Sequence, residues 1–174
     1  MPSPESRAAT IQLLVMDVDG VLTDGQIYYG ETGEELKAFG IKDGLGIKLL
    51  HNAGVKPAII TGRRSQRVER RTHELGIETV IQGRDDKLQA LQEVCEAQHI
   101  DLAQCAYMGD DLPDPGALCA AGLGMAVADA SAPVCEAADW TSTAAGGRGA
   151  VREACEFILA ARGDWPSLLS EFNS

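Results

Sequence analysis

Short apolar runs alternate along the chain with segments whose apolar residues recur every three or four positions. Ile11–Met16 (IQLLVM), Val55–Ile60, Glu78–Ile81, Cys105–Met108 and Leu123–Val127 read as strands. The continuous ones suit burial on both faces of a sheet. Between them the helical period predicts a helix from Asp43, as its cap, to about Asn52, stopped by Gly54. It predicts others over Ser65–Leu75 (ended by Gly76), Lys87–Gln98 and, briefly, Asp114–Ala121. Leu88, Leu91, Val94 and Cys95 would share one stripe of the third helix. Val151, Ala154, Cys155, Ile158 and Leu159 would share a stripe of the last, Val151–Ala161. Gln26–Tyr29 and Leu36–Gly40, on either side of Gly30-Glu31-Thr32-Gly33, predict a β-hairpin. Strand-helix alternation of this kind predicts an α/β fold, a Rossmann-like parallel sheet flanked by helices. We read residues 1–174 as one domain, with a hairpin insertion at about 25–40. The tail, about 163–174, holds Trp165 and Pro166 and shows no clear period.

Composition narrows the function classes. With 45% hydrophobic and 24% charged residues the chain can bury a core, which excludes wholesale disorder. The net charge of −11 disfavours binding to nucleic acid or an anionic membrane through the general surface, so an anion would need a local cluster of donors. Cys95, Cys105, Cys119, Cys135 and Cys155 form no CxxC pair, and an odd, scattered set reads as reduced thiols in a cytoplasmic protein. Met1–Thr10 is too polar for an export signal, and Ile11–Met16 too short to span a membrane.

Ligands of open parallel sheets gather at the carboxyl ends of the strands, and there the unusual polar residues fall. Asp17-Val18-Asp19-Gly20 follows the first strand, Thr61-Gly62-Arg63 the second and Gly109-Asp110-Asp111 the fourth, while Lys87 opens the helix before that fourth strand. Taken singly, each has a plain structural explanation: an Asp-Gly turn, a helix cap, a solvated lysine. Capping does not explain their recurrence at consecutive strand ends. A calcium loop is excluded, because Val21 and Tyr28 stand where an oxygen ligand and a glutamate are required. Clustered carboxylates repel unless a cation sits among them, and oxygen-only ligands such as Asp17 and Asp110 suit Mg²⁺. A metal, a lysine and a threonine hydroxyl around one carboxylate describe a phosphoryl-transfer site. His51, His73 and His99 are far apart on predicted helices and receive no catalytic role; Trp140 and Trp165 read as core or interface residues.

DVDGVLTDG, IITGR, the isolated Lys87 and YMGDD, in that order, resemble the four motifs of the haloacid dehalogenase superfamily of phosphatases. KDGLGI at Lys42–Ile47, Gln82-Gly83 and AGGRGAVRE at Ala145–Glu153 extend the resemblance, over nearly the whole chain, to its 3-deoxy-D-manno-octulosonate 8-phosphate (KDO 8-phosphate) phosphatase subfamily. That resemblance implies an aspartyl-phosphate mechanism yielding KDO and inorganic phosphate. Asp17 would be the nucleophile and Asp19 the general acid and base. Thr61, Gly62 and Lys87 would hold the phosphoryl group. Mg²⁺ would sit on the Asp17 carboxylate, the Asp19 carbonyl and Asp110, with Asp111 orienting its surroundings. It implies a capless enzyme, since only the hairpin lies between the first two motifs, and a homotetramer whose neighbouring subunits close each site.

Substrate choice rests on Arg63, whose planar fork suits a carboxylate; the related phosphatase of KDN 9-phosphate resembles this chain but carries glutamate there. Arg148, in the glycine-rich segment, is a second candidate, although without GK[ST] that segment is no nucleotide loop and reads equally as a flexible connection. Alternatives stay open: a phosphatase of another sugar-acid phosphate, a signalling receiver that is phosphorylated by a partner, or an assembly subunit of a nucleotide-sugar synthetase. Asp19 counts against the receiver, which lacks a carboxylate in that place.

Overall fold

A computed structural model describes residues 2–172. Along the chain run α1 (Pro4–Ala8), β1 (Leu13–Met16), β2 (Tyr28–Tyr29), β3 (Glu35–Leu36), α2 (Ile41–Asn52), β4 (Lys56–Thr61), α3 (Gln66–Leu75) and β5 (Thr79–Gln82). Beyond them come α4 (Lys87–Gln98), β6 (Cys105–Gly109), α5 (Pro115–Ala120), β7 (Leu123–Ala126), α6 (Ala132–Ala137), β8 (Trp140–Thr141), α7 (Ala150–Arg162) and α8 (Trp165–Glu171). Six strands form one parallel sheet in the order β5-β4-β1-β6-β7-β8, and β2 and β3 form a separate antiparallel hairpin.

The continuous apolar runs are explained by helices on both faces. Leu14 and Met16 of β1, Ile59 of β4 and Met108 of β6 point to a core shared with α2 and α7. Leu13, Val15, Ile60 and Tyr107 point the other way, to α4, α5 and α6. The chain leaves β1 first toward β4 and β5, then returns to β6 on its other side, so β1 lies at the topological switch, where an open sheet forms a crevice.

Several expectations need correction. Asp43 does not cap α2, whose N-cap is Gly40. It is buried in the first turn, and its Oδ1 accepts the Arg152 N–H at 2.9 Å. It thus caps α7, whose own N-cap, Gly149, has no side chain to do so. A Cβ at Gly46 would lie 3.0 Å from Arg152 Cδ and 3.2 Å from its Cα, so KDGLGI is the segment that lets α2 and α7 pack closely. Leu88 is not in the buried stripe of α4, being 39% exposed. That stripe is Lys87, Ala90, Leu91, Val94 and Cys95, headed by the lysine and not by Leu88.

The first ten residues and the tail are not featureless: α1 and α8 are short helices entered through proline, as is α6, where no helix was expected. All five cysteines are free, and Cys119 is exposed.

Candidate active site

Strand register assembles the site. Met16 is paired with Ile59 on one side and Met108 on the other, which sets Asp17 level with Ile60 and Gly109, and Thr61 and Asp110 one step beyond. Lys87 arrives from below, on the first turn of α4. Its side chain is 2% exposed, and its ammonium lies 3.1 Å from Asp17 Oδ1 and 3.3 Å from Asp114 Oδ1 and donates to the Ile60 carbonyl at 3.1 Å.

Asp114 is a functional candidate that the sequence pattern does not disclose, since it reads there as the start of a helix. It is fully buried, and both oxygens are occupied. Oδ1 accepts the Tyr107 hydroxyl at 2.6 Å as well as the Lys87 ammonium, and Oδ2 accepts the backbone N–H of Asp110 at 2.9 Å and of Asp111 at 3.2 Å. One carboxylate therefore fixes both the lysine and the loop that carries Asp110. The available signal was a third aspartate four residues after the first in DDLPD.

Glycines let the loops close. At Gly20 (φ +93°) a Cβ would fall 2.0 Å from Asp110 Oδ2, so only glycine admits that carboxylate to the DVDG turn. At Gly146 a Cβ would fall 1.8 Å from the Gly20 carbonyl oxygen, and the Gly147 N–H donates to the Val21 carbonyl at 2.9 Å. The glycine-rich segment is thus a brace behind the nucleophile loop, a better account than a loose connection. Gly62 likewise leaves room for Asp85, whose Oδ1 would lie 2.2 Å from a Cβ there.

The remaining predicted residues divide. The Asp19 carboxylate pairs with Lys37 of the hairpin, and Arg63 Nε lies 4.0 Å from its other oxygen. Arg63 donates to Glu35 Oε2 at 2.8 Å. Arg148 is exposed and, with Asp24, Tyr28 and Phe39, borders a cavity of about 280 Å³ at the hairpin's base; no contact joins it to Asp17, Lys87 or Asp110 among the described residues. His51 and His99 line a cavity of about 410 Å³ beside Lys56 and Thr79, at the amino edge of the sheet and away from the carboxylates.

Electrostatics say what the cluster lacks. Burial pushes the Asp17 carboxyl up to about 6, against the pull of Lys87, with Asp114 adding to the rise. Burial, then Asp17, Asp114 and Asp111, push Asp110 up to about 8. Oxygens of Asp17, Asp110 and Asp114 lie within 4.8 Å of one another, with a single ammonium between them. Three carboxylates and one lysine fit a hard divalent cation such as Mg²⁺. All four hydrogen bonds of Asp114 are already made, and Asp17 Oδ1 accepts the Val18 N–H at 2.7 Å and faces Lys87, which leaves the other Asp17 oxygen and the Asp110 carboxylate available to an ion.

A parallel α/β sheet with an acidic cluster, a buried lysine and a threonine at the switch-point strand ends defines a phosphohydrolase class. The model of the haloacid dehalogenase-like hydrolases matches residues 79–153, and the chain belongs to that family. More particularly, the chain is 48% identical over 156 residues to the KDO 8-phosphate phosphatase of Yersinia pestis, covering 90% of this chain and 83% of that one. It is 47% identical over 158 residues to the Escherichia coli K12 enzyme of the same name, covering 91% and 84%. Among solved structures, the Moraxella catarrhalis KDO 8-phosphate phosphatase, in complex with magnesium, phosphate and KDO, superposes with a TM-score of 0.96 at 47% identity, covering 97% of each chain.

Proposed function

We propose that the chain is a Mg²⁺-dependent phosphomonoesterase that hydrolyses KDO 8-phosphate to KDO and inorganic phosphate, as in lipopolysaccharide biosynthesis. The observation that carries this reading is the meeting of Asp17, Lys87 and Asp110 at the switch point, supported by the relatives' shared name over most of their length.

Asp17 attacks phosphorus through a carboxylate oxygen, and the bond from phosphorus to the sugar O8 breaks. Asp19, acting in its protonated form, gives that proton to the departing alkoxide. Asp19 then takes a proton from water, whose oxygen attacks phosphorus and breaks the bond to Asp17, releasing phosphate. Thr61, Gly62 and Lys87 hold the phosphoryl oxygens, and the Lys87 ammonium offsets their charge. Asp17 and Asp110, with the Asp19 main-chain carbonyl, would hold Mg²⁺, which when bound offsets the charge of carboxylates and phosphate. Arg63 receives the sugar's carboxylate. Arg148, facing Asp24 and Tyr28, is at most a contact at the rim.

The site has little roof of its own, and Tyr29 (69% exposed) and Leu36 (53%) on the hairpin, with Ile41 (85%) at the start of α2, leave an apolar surface uncovered. We infer a homotetramer built on these hairpins, with neighbouring subunits closing each site. No helix among the described residues is long and apolar enough to cross a membrane. Five free thiols and an acidic surface fit a cytoplasmic enzyme.

Phosphate release should be assayed across a panel of sugar-acid phosphates with Mg²⁺ and with chelator. KDO 8-phosphate should be the best substrate, and Asp17→Asn should abolish its turnover while the protein stays folded, because a neutral amide cannot attack. Undiminished turnover by that variant would remove Asp17 from the chemistry. A clear preference for another ester would replace the substrate.

A further inference from the structure

The two strands of the hairpin contribute more than a lid. Beside Asp19 lies a closed ring of four charges: Lys37 pairs with Asp19 and with Glu35 Oε1 at 3.2 Å, Glu35 Oε2 accepts from Arg63 at 2.8 Å, and Arg63 lies 4.0 Å from Asp19. The Lys37 side chain is 1% exposed, shut off by the two carboxylates, whereas Arg63 is 45% exposed and Glu35 23%. Two cations and two anions balance, so the ring has no net charge to draw in a further anion.

Of the two carboxylates, Asp19 belongs to the nucleophile loop, but Glu35 sits on a two-residue strand joined to the sheet by no ladder. Its Oε1 is buried and makes no directed hydrogen bond, although Lys37 is within ion-pair distance. Burial alone would push the Glu35 carboxyl up; Lys37 and Arg63 overcome that and hold it below the usual range, so it remains an anion.

We infer that Glu35 stands in for the substrate's own carboxylate, occupying the Lys37–Arg63 cation pair until the carboxylate of a sugar acid replaces it. This rests on the proposed function, in which the substrate is a sugar-acid phosphate. The hairpin thereby sets specificity: an ester with its own carboxylate restores both ion pairs when Glu35 swings out. A sugar phosphate without a carboxylate offers nothing to replace Glu35: moving it out would leave Lys37 with Asp19 alone and Arg63 with only the distant Asp19 carboxylate, so the exchange gains nothing. Glu35 and Lys37 are specificity-determining residues, distinct from those that touch phosphorus.

The test is steady-state kinetics of the full-length protein with Mg²⁺ on KDO 8-phosphate and on mannose 6-phosphate, which has no carboxylate. Wild type and Glu35→Gln are compared, with thermal unfolding of each. The Arg63–Glu35 pair, open to solvent on the arginine side, holds back an incoming carboxylate by a modest factor. Glu35→Gln should therefore lower KM for KDO 8-phosphate about threefold to fivefold and change kcat less. KM for mannose 6-phosphate should not fall in step. Glu35→Ala, which removes the side chain's polar end, should shift KM the same way and serves if the glutamine variant folds poorly. A raised KM for KDO 8-phosphate, as expected if Glu35 merely braces Arg63, or an equal change for both esters, overturns the inference. Wild-type protein inert toward KDO 8-phosphate sinks the proposed function itself; an active wild type with unshifted variants sinks only the role of Glu35.

Discussion

Replacing Asp114 by asparagine keeps its volume and removes its charge, and the hydrogen bonds around it set the consequence. Four donors converge on the carboxylate: the Tyr107 hydroxyl and Lys87 ammonium on one oxygen, and the Asp110 and Asp111 N–H groups on the other. An asparagine can present its oxygen to only one pair, and its NH₂ then faces two donors. Each buried donor left unpaired costs about 1–3 kcal/mol. Asp17, 3.1 Å from Lys87, still pairs with the ammonium, which keeps the loss below that of a lone buried charge. Relief of repulsion on Asp110 offsets a little more. A net destabilisation of about 3 kcal/mol results, equivalent to roughly 6–12 °C in Tm for a domain of this size. Thermal unfolding monitored by circular dichroism, with Asp111→Asn alongside, measures it. Asp111 is exposed, and its variant should stay within about 0.5 kcal/mol of wild type. An Asp114→Asn protein melting within about 2 °C of wild type would refute the claim that one carboxylate organises both lysine and loop.

The same geometry predicts three more outcomes. In metal-free protein Asp17 and Asp110 are raised to about 6 and about 8, above the roughly 3.9 of an unfolded aspartate. The folded chain then holds more protons than the unfolded one between about pH 4 and 8, so its stability should fall as pH rises through that window. Mg²⁺ should raise Tm more at about pH 8 than at about pH 5.5, and the reverse order in a melting series would contradict the assignment of these carboxylates to the ion. Gly146→Ala drives a Cβ to 1.8 Å from the Gly20 carbonyl oxygen, so the nucleophile loop must shift and phosphate release should fall at least about tenfold. Gly116→Ala, where the nearest heavy atom is 3.7 Å away, is the neutral comparison; equal activity of the two variants would remove the brace.

The elements that the sequence pattern misses have identifiable causes. α1, α6 and α8 are five to seven residues long and begin at or beside proline, too short to show a helical period, with a residue that reads as a breaker unless it opens a helix. β8 has two residues and no period at all. Leu88 reads as core only because it is apolar. Its neighbour Lys87 holds that place because Asp17, Asp114 and a carbonyl oxygen wait at the end of the stripe, and none of them is near it in sequence.

From the sequence alone came the alternation that makes a parallel sheet, and the order in which Asp17, Thr61 and Asp110 fall at its strand ends with Lys87 opening the helix before the strand that leads to Asp110. Both are local properties, set by the two-residue and 3.6-residue periods and by polarity immediately beyond an apolar run. Tertiary structure alone decided that Asp114 joins Tyr107 to Lys87, that Asp43 caps a helix more than 100 residues away, and that Lys37 and Glu35 reach Asp19 and Arg63. Those pairings depend on strand order, register and crossovers, which bring distant charges within hydrogen-bond and ion-pair reach. No spacing along the chain encodes such a meeting.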